Sequence, residues 1–280
     1  MAVQISNAFV TLFDSEVKQA YQGQRLLAGV TRERTGVEGS TVRFPKIGKG
    51  SATLRVPQTD VTPLNVSYSQ VTATMEDYIA AEYSDIFNQQ KVNFNERQEL
   101  VQVVSGAIAR RMDQVCLDAL DASGTTATVS NDIGGTDSNL NIEKLRETKN
   151  LLDTNNVPME GRNLLLHANS LQSLLGETEV TSADFNTVRA LVTGEINTFM
   201  GFRFITFGDR DEGGLPVDGS SDRTLYAFHR DAVGLGIGMN QTSRVDYIAE
   251  KTSFLVASMF SAGAVAIDDE GIVKITCRES

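Results

Sequence analysis

Asn95-Glu96-Arg97-Gln98-Glu99-Leu100-Val101-Gln102-Val103-Val104-Ser105-Gly106-Ala107-Ile108-Ala109-Arg110-Arg111-Met112-Asp113-Gln114-Val115-Cys116-Leu117-Asp118-Ala119-Leu120-Asp121-Ala122 is the stretch on which the fold turns. Leu100, Val103, Val104, Ala107, Ile108, Met112, Val115, Ala119 and Ala122 recur at helical spacing, while Glu99, Gln102, Arg110, Asp113 and Asp118 fall mostly off that stripe. Asn95 is the expected N-cap, with Gln98 three residues on. Ser123-Gly124 ends the helix. At 1.5 Å per residue it spans about 40 Å, which makes it a spine and not one member of a small bundle.

Before this helix, the pattern changes character. Val42-Arg43-Phe44-Pro45 and Val66-Ser67-Tyr68-Ser69 alternate apolar with polar or turn residues, and threonine is frequent between Thr41 and Thr74. Gly48-Lys49-Gly50-Ser51, Pro57 and Pro63 interrupt them. This predicts a long hairpin over Ser40–Tyr83 with a polar, mobile tip. Two strands alone are marginal in water, so the hairpin needs a surface, its own body or another subunit. The leading segment, to about Glu38, offers one short helix on Leu12, Glu16, Val17 and Ala20, then glycines; it reads as an arm.

After the spine, 124–139 is a loop and 140–153 a second helix. Asn163–His167 is a short strand, Ser170–Leu175 starts a helix, and another helix is expected near 184–194. Residues 208–223 read as an exposed acidic loop. Strands are expected at 224–229, 233–239, 243–250 and 264–276, with 251–261 open to either assignment. The order is mixed, which predicts an α+β fold and not a doubly wound sheet.

The 280 residues carry 25 Lys+Arg against 36 Asp+Glu, a net charge of −11. Such a balance argues against a dedicated nucleic-acid binder, which needs cations to replace phosphate counterions. Residues 1–60 hold 8 basic and 5 acidic side chains, whereas 61–280 hold 17 and 31. The basic front could therefore touch the acidic body of a neighbouring copy. Nothing resembles a signal peptide, and no apolar run approaches the ~20 residues of a membrane span.

Candidate chemistry is sparse. Gly234-Leu235-Gly236-Ile237-Gly238 resembles a phosphate loop, but strand and not helix follows it, so close packing is the simpler reading. His167 and His229 are the only histidines and have no metal-ligand spacing. Cys116 reads as a small buried hydrophobe. Cys116 and Cys277 are too few for a disulfide scaffold and are expected as reduced thiols. Asp209/Asp211/Glu212 and Asp268/Asp269/Glu270 could hold calcium but lack the spaced ligand loop, so solvated turn acids are expected. No catalytic, cofactor-binding or metal-binding residue emerges, and the chain is not expected to be an enzyme.

Several stretches together resemble the major capsid proteins of tailed double-stranded DNA phages, the Hong Kong 97-like fold family. These are Gly39-Ser40-Thr41-Val42-Arg43-Phe44-Pro45, Tyr83-Ser84-Asp85-Ile86-Phe87-Asn88-Gln89-Gln90 with the spine helix, Gly194-Glu195-Ile196-Asn197-Thr198-Phe199-Met200-Gly201-Phe202, Tyr226-Ala227-Phe228-His229-Arg230-Asp231-Ala232-Val233, Ala262-Gly263-Ala264-Val265 and Val273-Lys274-Ile275. The resemblance implies an N-terminal arm (1–38), an extended loop (39–84), a peripheral domain with the spine (85–136 and 245–280) and an axial domain (137–244). It implies hexamers and pentamers closing into an icosahedral shell around double-stranded DNA, in the virion and, during assembly, in the host cytoplasm. The implied partners are copies of the chain, a separate scaffold protein, a portal and decoration proteins, with no cofactor and no membrane. The same fold also builds bacterial nanocompartment shells. Inter-subunit contacts are expected from Arg43, Lys46, Lys49, Arg55, Arg110 and Arg111. Some relatives cross-link a hairpin lysine to a neighbour's asparagine with help from a glutamate; Lys46 and Lys49 lie near that place, but the asparagine and glutamate have no match, so no cross-link is expected.

Overall fold

The computed structural model describes residues 23–61, 63–89, 95–177, 198–210 and 212–279. Strands β1 (Arg32–Thr35), β2 (Thr41–Ile47), β3 (Tyr68–Thr74) and β4 (Glu76–Asp85) lead through one helical turn, α1 (Ile86–Gln89), to the long helix α2 (Glu96–Asp121). Then come β5 (Thr128–Val129), α3 (Ile142–Thr154), β6 (Arg162–His167), α4 (Ala168–Gly176), β7 (Thr198–Phe199) and β8 (Phe202–Phe207). The last strands are β9 (Asp222–His229), β10 (Val233–Ile248), β11 (Ser253–Ala266) and β12 (Ile272–Arg278). They form a four-stranded sheet β1-β10-β11-β4, a six-stranded sheet β5-β12-β9-β6-β8-β7, and the hairpin β2-β3. The expected helix on Leu12–Ala20, the helix at 184–194 and the Gly194–Asn197 part of the capsid-like motif lie outside the described residues.

Helix α2 packs on β11 and β4. Its buried side begins at Val104 and includes Ile108, Met112, Val115, Cys116, Ala119 and Leu120. Asn95 stands at the N-cap as expected, although its side chain caps nothing; its backbone carbonyl accepts from the Gln98 and Glu99 N–H groups instead. One expectation fails here. Asp113, placed off the apolar stripe, is fully buried. Its two carboxylate oxygens accept from the Leu26 and Leu27 N–H groups at 2.9 and 3.0 Å, and Arg210 lies 3.4 Å away. A buried carboxylate is tolerable only when it is paired in this way. Through it the chain after Gly23 is pinned to the spine. Leu27 and Val30 enter the main core, and β1 runs parallel to β10. The last part of the expected arm is thus docked on its own body.

The six-stranded sheet holds the largest part of the core. β6 is buried on both faces, as its unbroken Leu164-Leu165-Leu166 run demands, and Phe202, Phe207, Tyr226, Phe228 and Ile275 surround it. Lys144 of α3 is buried beside β12, its ammonium donating to the Ser138 and Thr276 carbonyls at 2.6 and 3.0 Å. Arg162 spans the Pro158 and Val157 carbonyls and Asp153.

The expected chain division does not follow the sheets. β12, grouped with the spine at 245–280, pairs with β9 in the six-stranded sheet, and β10 runs straight through the 244/245 boundary. Residues 233–239 and 243–250, expected as two strands, are one strand with irregular register between Ile237 and Thr242. The undecided 251–261 is mostly strand, and 264–276 is two strands parted by a turn at Asp269–Gly271. Residues 208–223 are not a free acidic loop: Leu215 is buried, the Gly213 N–H donates to Gln114, and Glu212 meets Arg111.

Candidate functional site

The hairpin β2-β3 pairs from Thr41 opposite Thr74 to Ile47 opposite Tyr68. Period-two geometry sends Val42 and Phe44 to one face and Arg43 and Pro45 to the other. Val42 and Phe44 are buried with Ala73 and Ile267, flanked by Val37, Met75 and Val265. Their seat is the glycine row of β10. A Cβ on Gly236 would lie 2.5 Å from Val42 Cγ1, and one on Gly234 would lie 2.8 Å from the Phe44 ring. The Gly-x-Gly-x-Gly motif is therefore a socket for the hairpin root, as the close-packing reading expects. A backbone bond from Val37 N–H to the Ile237 carbonyl ties the chain just before the hairpin to β10, and one from Met75 N–H to the Ser40 carbonyl continues the β2-β3 ladder at the root.

A second anchor is ionic. Lys46 Nζ lies 2.8 Å from Asp268 and Lys49 Nζ 2.5 Å from Glu270. The Lys49 ammonium is held above its ordinary pKa by its hydrogen bond to Glu270 and by the charge of that carboxylate. Between these two acids, Asp269 accepts from the Gly124 N–H at the end of α2, while Asp268 accepts from the Glu270 N–H and so caps the turn. The Asn155 side chain donates to the Glu270 carbonyl. Asp268, Asp269 and Glu270 are thus neither a cation site nor free turn acids; they clasp the hairpin and the spine helix together.

Beyond Lys49 the hairpin leaves this support. Leu54 is 94% exposed and Val61 88%, and Ile47, Val56, Leu64 and Tyr68 are exposed as well. The tip thus exposes large apolar side chains among the polar ones that the sequence leads one to expect, such as Ser51, Arg55, Gln58 and Asp60. Arg43 and Arg55 are exposed on the same element. Of the remaining basic residues singled out, Arg111 stacks over Tyr78 at 4.6 Å and pairs with Glu212 at 3.3 Å. Arg110 stands one position earlier on α2, its carbonyl packed against Gly213.

Groups that could carry chemistry are engaged structurally. His229 donates from Nε2 to the Glu160 carbonyl, and its Nδ1 caps the turn at Asp231. Buried His167 lies 2.8 Å from Glu279 and 3.2 Å from Asp209, both of which also pair with Arg223. Asp211, the third acid of the other triplet, lies outside the described residues. Burial pushes the Cys116 and Cys277 thiols up to about 12. Among the described residues no three metal-ligating side chains cluster, and no helix is long and apolar enough to cross a membrane.

A sequence profile of the phage capsid protein family matches residues 5–279. The chain belongs to that family. The capsid protein is a structural subunit of a phage shell and not an enzyme. It superposes on the capsid of cyanophage P-SCSP1u with a TM-score of 0.76 at 15% identity, over 98% of this chain and 94% of that one. Similarity to Mycobacterium phage Che8 gives 0.73 at 17% identity, over 96% and 97%. The acid-stable capsid of Helicobacter pylori bacteriophage KHP30 gives 0.76 at 11% identity, over 99% of both chains. No curated protein sequence matches the capsid protein. Its fold is the Hong Kong 97-like α+β fold that the sequence resemblance implies. What sequence reading missed is the acidic clasp and the exposed apolar side chains of the tip. The only signal for the clasp was the clustering of Asp268, Asp269 and Glu270 just before the last strand.

Proposed function

We propose that this capsid protein assembles as hexamers and pentamers into an icosahedral shell around double-stranded DNA, and that its hairpin tip docks on a neighbouring copy. The exposure of Leu54 and Val61 carries this reading. A subunit acting alone gains nothing by holding those side chains in water, whereas burying each against a neighbour contributes about 1.5–3 kcal/mol. Repeated around a closed lattice, such contacts sum to a stable particle.

In this reading residues 1–38 are the arm, 39–84 the extended loop, 85–136 and 245–280 the peripheral domain, and 137–244 the axial domain, with β12 shared between the last two. Arg43 and Arg55 face acids of a neighbour. Lys46 and Lys49 trade their own Asp268 and Glu270 for such acids, and Arg110 and Arg111 line the spine side of the contact. A scaffold protein directs closure, a portal fills one vertex and decoration proteins bind outside; assembly takes place in the host cytoplasm.

Electron micrographs of the chain coexpressed with its scaffold test the reading: closed particles are expected. Particles recovered from the phage-producing host should carry nuclease-resistant DNA, whereas particles there that enclose an enzyme instead of DNA would assign the chain to a nanocompartment. Only small oligomers at every concentration would end the proposal. Boiled in denaturant, the particles should run as one monomer band, because no cross-linking partner for Lys46 or Lys49 is matched.

A further inference from the structure

The outer half of β10 is a sheet edge with no strand on it among the described residues. β1 pairs with β10 only from Gly234 to Ile237, and β11 occupies the opposite side as far as Ile248. From Met239 to Tyr247 nine consecutive residues are exposed. Unpaired edges of this length invite another strand, and proteins usually blunt them with charged side chains or proline. This edge has no proline, and its charges are one of each sign. It reads Ser243-Arg244-Val245-Asp246-Tyr247, with one cation and one anion placed symmetrically about Val245. Arg244 and Asp246 share a face of the strand, and neither forms an ion pair among the described residues.

We propose that this edge pairs antiparallel with the same edge of a second copy, about a twofold axis through Val245. The proposal rests on the shell reading above and names one of its contacts. Antiparallel pairing sets Arg244 opposite Asp246 of the partner subunit, and Asp246 opposite the partner's Arg244. Directly opposed, same-face side chains of unlike charge attract; a parallel, in-register pairing would oppose like charges. Val245 meets its own copy and Ser243 meets the partner's Tyr247 on the other face. Val245 and Tyr247 are both exposed large apolar side chains. Tyr247 is already held in place, its ring 5.3 Å from Phe254, over which Arg97 sits at 4.4 Å. The footprint also fits the available strand. Thr242 falls opposite the partner's Ile248, where the turn Ala249–Lys251 ends β10, and the place of β1 at Gly234–Ile237 stays clear.

The test is a cysteine at the axis of the full chain, Val245→Cys, with the native buried thiols left in place. Under mild oxidation the variant should run as a covalent dimer on a non-reducing gel, whereas wild type and Thr242→Cys should not. In the Val245→Cys background, Arg244→Asp or Asp246→Arg alone should cut dimer yield about tenfold, and the two together should restore it. A monomer band from Val245→Cys overturns the proposal. So does failure of the double reversal to restore the dimer. A dimer that forms only when Leu54→Cys is mixed with Val245→Cys would give the edge to a neighbour's hairpin, and also overturns it. Micrographs of the same samples separate the two readings: particles without the dimer refute the edge pairing alone, and the dimer without particles refutes the shell alone.

Discussion

Lys46 and Asp268 stand 222 residues apart in the chain and meet at 2.8 Å. With Lys49 and Glu270 they tie the hairpin to the turn before β12, and all four groups are partly open to water. Exposed ion pairs contribute about 0–1 kcal/mol each, so this clasp sets where the hairpin points more than whether the subunit folds. Lys46→Glu with Lys49→Glu should leave the midpoint of a denaturant titration close to that of wild type. The same variant should speed amide exchange in β2 and β3. Asp268→Lys with Glu270→Lys, added to it, should slow that exchange again.

The socket is less forgiving. Gly236→Val places new carbon 2.5 Å or closer to Val42 and so unseats the hairpin root. Overpacking of this kind costs about 1–3 kcal/mol, a shift readable by thermal melting. Particle yield should fall further than stability does, because the tip is then no longer aimed. Leu235→Val, on the neighbouring position and the opposite face of the strand, should leave particle yield close to that of wild type.

Asp113 makes a pH-dependent contribution. Burial raises its pKa above the ordinary carboxylate value, against the two backbone N–H groups and the guanidinium that favour its charge. Between the ordinary value and the raised one, the native state binds more protons than the unfolded state. The contribution of this group is therefore fully present below the ordinary value and is lost as pH rises through the raised one. Asp113→Asn should remove that component of the stability–pH curve. Asp113→Ala, which leaves the Leu26 and Leu27 N–H groups without acceptors, should cost about 2–4 kcal/mol and open 23–31 to protease.

Both thiols should be silent. With pKa values pushed up to about 12, native Cys116 and Cys277 should not react with a thiol-specific reagent at pH 8, and both should react once the chain is unfolded in denaturant. Fast labelling of the native subunit would show that the core around α2 or β12 opens.

The spine helix was legible because its stripe of Val104, Ile108, Met112, Val115 and Ala119 obeys one period over many turns. The glycines of β10 were legible as a place of close approach, although not what approaches. Asp113 was not: periodicity sorts a carboxylate to the wet side, and its reason for being buried lies on backbone more than 80 residues away. The clasp fails for the same reason, since Lys46 and Asp268 share no local pattern. At the tip, glycine, proline and lysine outweighed Leu54 and Val61 in the local composition, so the apolar part of a mixed surface went unread. The break between β11 and β12 was half legible: Asp268, Asp269 and Glu270 read as turn acids, yet one strand was expected to run through them from 264 to 276.

β10 is a single strand of 16 residues, roughly 50 Å from end to end. Its near end cradles the hairpin root and its far end is the bare margin beside Val245. A sideways tug on the tip of one hairpin therefore passes along a single stiff ribbon to the opposite side of the molecule. Internal pressure on a wall built from such units would be carried as tension through these ribbons, and softening any one of them at Gly236 should make the whole container more compliant.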